Sequence, residues 1–272
     1  MKTEQWVLSR AELAYVAMAT GQQRLLYCDG GLGLLHVGAD LDGAGTTLRA
    51  RGLIPDRSAS AGPPGLDAWD FLRTLDLIDD ARIRVSVLND GDGVRRNHLL
   101  ALAGVLGASV ETVEPATAEH FAVSKLEADR LRNRVFELVG FDGPGALSDP
   151  AGSNGRKGVS GEVKVADLAR VHATLHASSA EDAVGLLVDL GWESGSARAL
   201  VADMVHGPRA NEVTMSRREG TRVELAQLCW NTTDQGGWWR YERFDNQRRL
   251  RLIRVTRREI ASELESLLEP LA

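Results

Sequence analysis

Residues 249–272 read RLRLIRVTRREIASELESLLEPLA, and the chain carries this pattern twice. Leu250, Leu252 and Val255 are apolar among Arg249, Arg251 and Arg254, which predicts a strand with one arginine-lined face. Thr256-Arg257-Arg258-Glu259 has the spacing of a capping box: the Thr hydroxyl accepts from the third backbone N–H, and the Glu reaches back to the cap. Ile260, Leu264, Leu267, Leu268 and Leu271 then recur at helical spacing. At 129 residues earlier, Val123, Lys125, Leu131, Val135, Leu138 and Val139 stand where Leu252, Arg254, Ile260, Leu264, Leu267 and Leu268 stand here.

A second match lies upstream. Ala11-Glu12-Leu13-Ala14 and Val16 return 155 residues later as Ala166-Asp167-Leu168-Ala169 and Val171, each after a short extended piece. Order and spacing agree at both ends, so the chain reads as a pseudo-repeat. The offsets differ by 26 residues (155 − 129), a surplus in the first copy that the Gly-rich run Gly30 to Gly65 would hold.

Each copy predicts helices, then a β-meander, then one more helix. In the first, Trp6-Val7-Leu8 is a strand, Ser9-Arg10-Ala11-Glu12 a capping box, and Asp67 to Leu77 a helix with Ala68, Phe71, Leu72 and Leu75 on one face. Ile83 to Val87 alternate as a strand, Asn89-Asp90-Gly91-Asp92-Gly93 is a turn, and His98 to Leu106 and Ser109 to Glu114 form a strand pair. Asp56 to Gly65, with its Pro-Pro-Gly, reads as a mobile loop. In the second copy, helices over Val165 to His176, Ala180 to Leu190 and Ala197 to Val205 precede strands at Glu212 to Ser216, Arg222 to Trp230, Trp238 to Phe244 and Arg249 to Val255. The expectation is one α+β fold, a central antiparallel sheet flanked by helices, in two halves related by a pseudo-two-fold. The halves span 1–141 and 162–272, and 142–161, rich in glycine with little to pack, forms a flexible linker.

At 272 residues the chain buries a good core, and its net charge of -6 excludes a molecule that binds nucleic acid by overall charge. Two cysteines, Cys28 and Cys229, suit a reducing compartment better than a disulfide scaffold. The chain opens without a basic-then-apolar leader, and its longest apolar run, Leu99 to Val110, is too short to span a bilayer, so a cytoplasmic protein is expected.

Catalytic and metal chemistry finds little support. Gly31-Leu32-Gly33 lacks the spacing and downstream acid of a dinucleotide fingerprint. His172 and His176 lie four apart on a helix, but no third ligand stands near them in sequence, so they read as an exposed helix face and no metal is expected. Asp90 and Asp92 evoke a calcium loop, but Val94-Arg95-Arg96 puts cations where carboxylates are needed. No nucleophile motif is present, and the expectation is a non-enzyme without cofactor. One charge feature stands out. Arg240, Arg243, Arg248, Arg249, Arg251, Arg254, Arg257 and Arg258 interleave with Trp238, Trp239, Tyr241 and Phe244. Such a mixture suits a solvated strand face over a core, a protein-binding hot spot, or a single-stranded nucleic acid platform.

The assembled pattern resembles the EspG family, cytoplasmic chaperones of actinobacterial type VII secretion. The features are Trp6-Val7-Leu8 leading into the capped helix, two meander-plus-helix halves around the Gly/Pro/Ser-rich linker, Cys229-Trp230-Asn231-Thr232 followed by Gly237-Trp238-Trp239-Arg240-Tyr241, and the final strand running into the Leu-rich helix of Glu259 to Leu268. The family's last helix often opens with a Pro-Ala-Asp-like turn, to which Glu127-Ala128-Asp129 is closer than Thr256-Arg257-Arg258. The resemblance implies binding of a PE–PPE-like helical heterodimer, whose apolar tip is masked, kept soluble and directed to export. By position it points to the hairpin Asn89 to Arg96, with Asp90, Asp92, Arg95 and Arg96 as partner-binding residues, and to the helices of the second half. A regulatory or nucleic-acid-binding module built on the arginine/aromatic sheet is the alternative.

Overall fold

The computed structural model describes residues 5–22, 40–55, 66–91, 94–113, 120–141, 159–207, 209–233, 237–244, 246 and 248–269. The first half runs β1 (Gln5–Ser9), α1 (Arg10–Ala19), α2 (Leu41–Ala50), α3 (Leu66–Asp80), β2 (Ile83–Gly91), β3 (Val94–Ala103), β4 (Leu106–Val113), β5 (His120–Glu127) and α4 (Ala128–Leu138). The second runs β6 (Ser160–Lys164), α5 (Val165–Ala177), α6 (Ala180–Asp189), α7 (Ser194–Val205), β7 (Arg209–Glu219), β8 (Arg222–Thr232), β9 (Trp238–Phe244), β10 (Arg249–Val255) and α8 (Arg257–Leu268). Among the described residues the two orders are identical, strand for strand and helix for helix. The expected α+β class is borne out.

All ten strands join one sheet in the order β1-β5-β4-β3-β2-β7-β8-β9-β10-β6, and every pairing is antiparallel. Read outward from the β2–β7 pair, the halves mirror each other in strand order. Register tests the duplication more sharply. Leu8 pairs with Phe121 and Trp6 with Val123 at one edge. Shifted by 155 and 129 residues, these pairs become Val163 with Leu250 and Gly161 with Leu252, the pairs found at the other edge. Further in, the row Ser124, Ser109, Leu100, Val85 matches Ile253, Arg240, Trp230, Asn211. Val87 therefore matches Val213, its own ladder partner, and the pseudo-two-fold passes through that pair.

The two faces of the sheet are covered differently. Val85, Val87, Leu100, Leu102, Val213, Met215, Leu228 and Trp230 point to one face, where α4 and α8 bury them with Leu131, Val135, Ile260 and Leu264. Strand side chains alternate, so the intervening residues point the other way. There, α1 to α3 pack over β1, β5, β4 and β3 through Leu13, Leu48, Phe71, Leu75, Leu99 and Val110. At the far end of the same face, α5 to α7 pack over β9, β10 and β6 through Val171, Leu187, Leu200, Trp239 and Leu252.

Four sequence expectations shift. The turn expected at Asn89 to Gly93 is mostly strand: β2 continues through Gly91, which pairs with Val94, and Asp92 and Gly93 lie outside the described residues. Leu106 begins β4 instead of ending β3, because Gly104, at φ +89°, turns the chain before it. Helix α2 has no counterpart among the expectations. Its LDGAGTTLRA sequence is poor in helix formers, and it is held by the Asp40 cap on the Gly43 N–H and by packing so close that a Cβ on Gly45 would stand 2.6 Å from the Tyr15 ring. Finally, Ser160 and Gly161, placed in the linker by composition, lie in β6. Gly161 is strand because the Trp192 ring lies against it, where a Cβ would come within 2.3 Å. Residues 142–158, the loop at Asp56 to Gly65, Gly31-Leu32-Gly33 and Cys28 lie outside the described residues.

Candidate partner-binding surface

Between the two helical packs, one strip of β2, β7 and β8 forms a floor. Its side chains are Leu88, Glu212, Thr214 and Gln227, half-buried or exposed. Glu212 organises it: Gln227 donates to its Oε1 at 2.7 Å, Thr214 donates at 3.3 Å, and an Arg243 guanidinium nitrogen lies 3.8 Å away. Beneath that carboxylate Cys229 is buried, and desolvation, reinforced by Glu212, pushes its thiol up to about 12. Burial likewise raises Tyr241. Both groups are held neutral, which suits a packed support better than a nucleophile.

The hairpin named from sequence stands at one end of this floor. Asp90 and Arg95 are direct ladder partners, exposed, and in alternation with Leu88 on the floor face. Arg96 points to the opposite face, half-buried, where its charge helps to depress His98. Asp92 lies outside the described residues. The structure thus brings Asp90 and Arg95 together at the floor's rim and separates Arg96 from them. Beside them Gly91 receives the Arg209 side chain, whose Cγ would stand 2.6 Å from an added Cβ. Asn89 anchors the hairpin to the other layer by donating to the Leu138 carbonyl at 3.0 Å.

The far wall of the floor is the α5–α7 pack. Trp192 Nε1 donates to the Glu162 carbonyl at 2.9 Å and fixes the α6–α7 connection to β6. Trp239 Nε1 donates to Asp203 Oδ2 of α7 at 2.8 Å, and Arg254 reaches the same oxygen at 3.3 Å. This pack leaves Val165, Val188 and Val205 exposed.

The arginine/aromatic sheet is not an open stacking platform. Trp239 is 2% exposed, and Arg257 covers Phe141 and Trp238, 5.1 and 5.8 Å from their ring centres. Arg249 and Arg251 share Glu162 at 3.1 and 2.8 Å, and Arg240 pairs with Glu242 and Glu263. These charges and rings are largely occupied within the fold, which leaves little for a stacked base to use. His172 and His176 project from the exposed face of α5 with their Nε2 atoms 3.3 Å apart, and no group of three metal-ligating side chains forms among the described residues. No described helix is long and apolar enough to cross a membrane.

The floor residues escaped the sequence reading. Alternation shows which side chains share a face, but not which strands the described helices pack over. Two comparisons find nothing: no protein-family model and no curated protein matches the chain. Among solved structures, the Mycobacterium tuberculosis type VII secretion system chaperone EspG5, in complex with a PE25–PPE41 dimer, superposes with a TM-score of 0.55. The identity is 12%, and the match covers 99% of this chain and 97% of that one. The fold is EspG-like. An EspG-like fold seen from this sequence places the floor, its hairpin rim and its helical wall on one face, with the closing helices α4 and α8 on the other.

Proposed function

We propose that this chain is a cytosolic chaperone that binds a PE–PPE-like heterodimer of a type VII secretion system, keeps it soluble and directs it to export. The observation that carries this reading is the likeness to EspG5 over nearly the full length of both chains. The floor supports it physically: a preformed strip between two helical packs can receive the tip of a helical partner and shield apolar surface that would otherwise aggregate. The work is binding, not chemistry. The test is native mass spectrometry of the tagged protein purified gently from its own cells. One copy bound to one helical heterodimer is the expected result. Nucleic acid at high occupancy, or no heterodimer while candidate substrates are expressed, would overturn the proposal.

Asp90 and Arg95 are proposed as rim contacts. Rim charges govern encounter more than they govern the buried contact. Arg95→Glu should therefore slow association, with a changed salt dependence, and leave dissociation near the parent rate in stopped-flow or biosensor kinetics. Unchanged association would remove the hairpin from the contact surface.

A further inference from the structure

The β7–β8 hairpin carries a sheet edge that the other described strands leave unpaired. β8 pairs with β7 over its whole length, Arg222 to Thr232. β9 joins it only at Trp230, Asn231 and Thr232, although all seven residues of β9 pair with β10. Among the described residues no strand other than β7 forms ladder pairs with β8 from Arg222 to Cys229. The hairpin also projects. Gly91 and Val94, which close the β2–β3 hairpin, match Arg217 and Glu224, so the rungs Arg218–Val223 and Glu219–Arg222 are additions without a counterpart in the first half.

The backbone of this projection faces outward. Arg218 donates its N–H to the Arg82 carbonyl on the β2 side. Its rung with Val223 therefore exchanges no ladder bonds, and the Val223 N–H and C=O point away from β7, as do those of Leu225 by alternation. The side chains suit pairing. Val223 and Leu225 are 54% and 67% exposed on one face. Arg222 and Glu224 are exposed on the other, where they pair with each other at 3.1 Å. Two devices that blunt an edge, Pro and Lys, are missing here, and its charges alternate in sign instead of forming a like-charged run. The equivalent edge on β3 differs. It carries Arg95 and Arg96 in succession, and Thr112 Oγ1 accepts from the Asn97 N–H at 3.1 Å and donates to the Asn97 carbonyl at 2.8 Å.

We propose that this edge pairs with a second copy of the chain, β8 against β8, antiparallel about a two-fold axis at Val223. That register joins the two Val223 residues by reciprocal N–H···O bonds. It sets Arg222 of each copy opposite Glu224 of the other and brings Val223 and Leu225 of both copies onto one shared face. The neighbouring register, centred one residue on, would oppose Glu224 to Glu224, a like-charge pair that resists it. The self-complementary order of charges makes a second copy the best-fitting occupant. The contact spans few rungs and gives a weak dimer, populated at high protein concentration. This inference does not depend on the chaperone reading.

Sedimentation velocity over a concentration series of the full chain tests it. The parent should move from monomer toward dimer as concentration rises. Glu224→Arg sets arginine against arginine and should abolish the shift, and Arg222→Glu with Glu224→Arg restores opposite charges and should recover it. Thermal unfolding at low concentration should be unchanged in both variants, which separates a lost interface from a lost fold. A parent that stays monomeric throughout, or a double variant that behaves like Glu224→Arg, overturns the proposal. Hydrogen exchange protection of Val223 and Leu225 that appears only with a bound cargo protein would assign the edge to that cargo and overturn it equally.

Discussion

The two halves of the sheet share a register to the residue and differ in how each strand and helix ends. In the first half, β1 feeds α1 through Ser9, whose hydroxyl accepts from the Glu12 N–H while the Glu12 carboxylate accepts from the Ser9 N–H. At the matching place in the second half Lys164 opens α5 and makes no side-chain cap. The closing helices reverse this: Glu127 opens α4 uncapped, and Thr256 opens α8 in a full capping box with Glu259. Trp6 on β1 packs against Phe71, 5.6 Å between ring centres. Its counterpart is Gly161, where the indole comes from Trp192 on another element. The hairpins diverge too, polar and short at β2–β3, longer and partly apolar at β7–β8. What persists between the halves is pairing and core. What varies is any group whose job another residue can take over.

If core positions are the persistent part, matched deletions should cost alike. Leu131 and Ile260 occupy equivalent places on α4 and α8, both 0% exposed and both in the layer that covers the central strands. Truncating either to Ala removes buried methyl groups and leaves a cavity, for about 2–5 kcal/mol. Denaturant unfolding of the two variants should show losses in the same range. A near-neutral result at one position would show that its half of the layer collapses onto the gap, and the equivalence would fail at the level of packing.

His98 sharpens the comparison through pH. It lies where the second half has Leu228, on the core side of β3, and is 6% exposed. Its Nδ1 has no hydrogen-bond partner among the described residues. Burial lowers its pKa from 6.5 to about 4. Glu111 opposes the shift, and Arg134 and Arg96 add to it. Glu111 cannot simply pair with the imidazole, because Arg134 already holds it from α4. The unfolded chain therefore takes up a proton near the ordinary histidine value, and the folded chain only near 4. Stability is lost as pH falls between those values, by about 3 kcal/mol for this group. His98→Leu, which copies the second half, should flatten that part of the acid limb. The check is the difference between parent and variant in denaturant unfolding at about pH 7 and about pH 4.5. Equal losses in the two proteins would mean that His98 is not a site of acid sensitivity.

Much of the fold was legible because its signals are local or repeated. Both capping boxes, the helical faces of α3 and α8, the alternating strands and the two offsets could be read directly, and the edge registers reproduce both offsets. The gaps have physical causes. α2 is stabilised by close approach to Tyr15, which no propensity reveals, and Gly161 is strand because of a tryptophan thirty-one residues on (192 − 161). The candidate surface was half legible. Asp90 and Arg95 fall on its rim, and Arg96, adjacent in sequence, faces the other layer because strand neighbours alternate. Glu212 and Gln227 could not be found, since their role depends on where two distant helical packs stop. The arginine/aromatic run looked functional because sequence shows charges without their partners, and Glu162, Asp203 and Glu263 are supplied by other elements.

The caps give the smallest effect and the most direct exchange between halves. Of the two helices that directly follow an outer strand of the sheet in each half, α1 and α4 in the first and α5 and α8 in the second, one is capped and one is not, so cap residues can be swapped at equivalent positions. Ser9→Lys and Thr256→Glu install the partner half's residue and leave a backbone donor without its side-chain acceptor, for about 1 kcal/mol each. The reverse changes, Lys164→Ser and Glu127→Thr, should add up to about the same amount. The gain should be larger at 164, where Asp167 stands at the third helical position and favours the helix N-terminus. At 127 that position holds Arg130, whose charge opposes the helix dipole. Thermal unfolding of the four variants measures this as two losses and two gains. Gains equal to the losses would show that the N-termini of α5 and α4 already have the backbone geometry of capped helices and lack only the side chain. Losses without gains would show that Lys164 and Glu127 sit where a short hydroxyl cannot reach the third N–H, and that the halves differ there in backbone as well as in sequence.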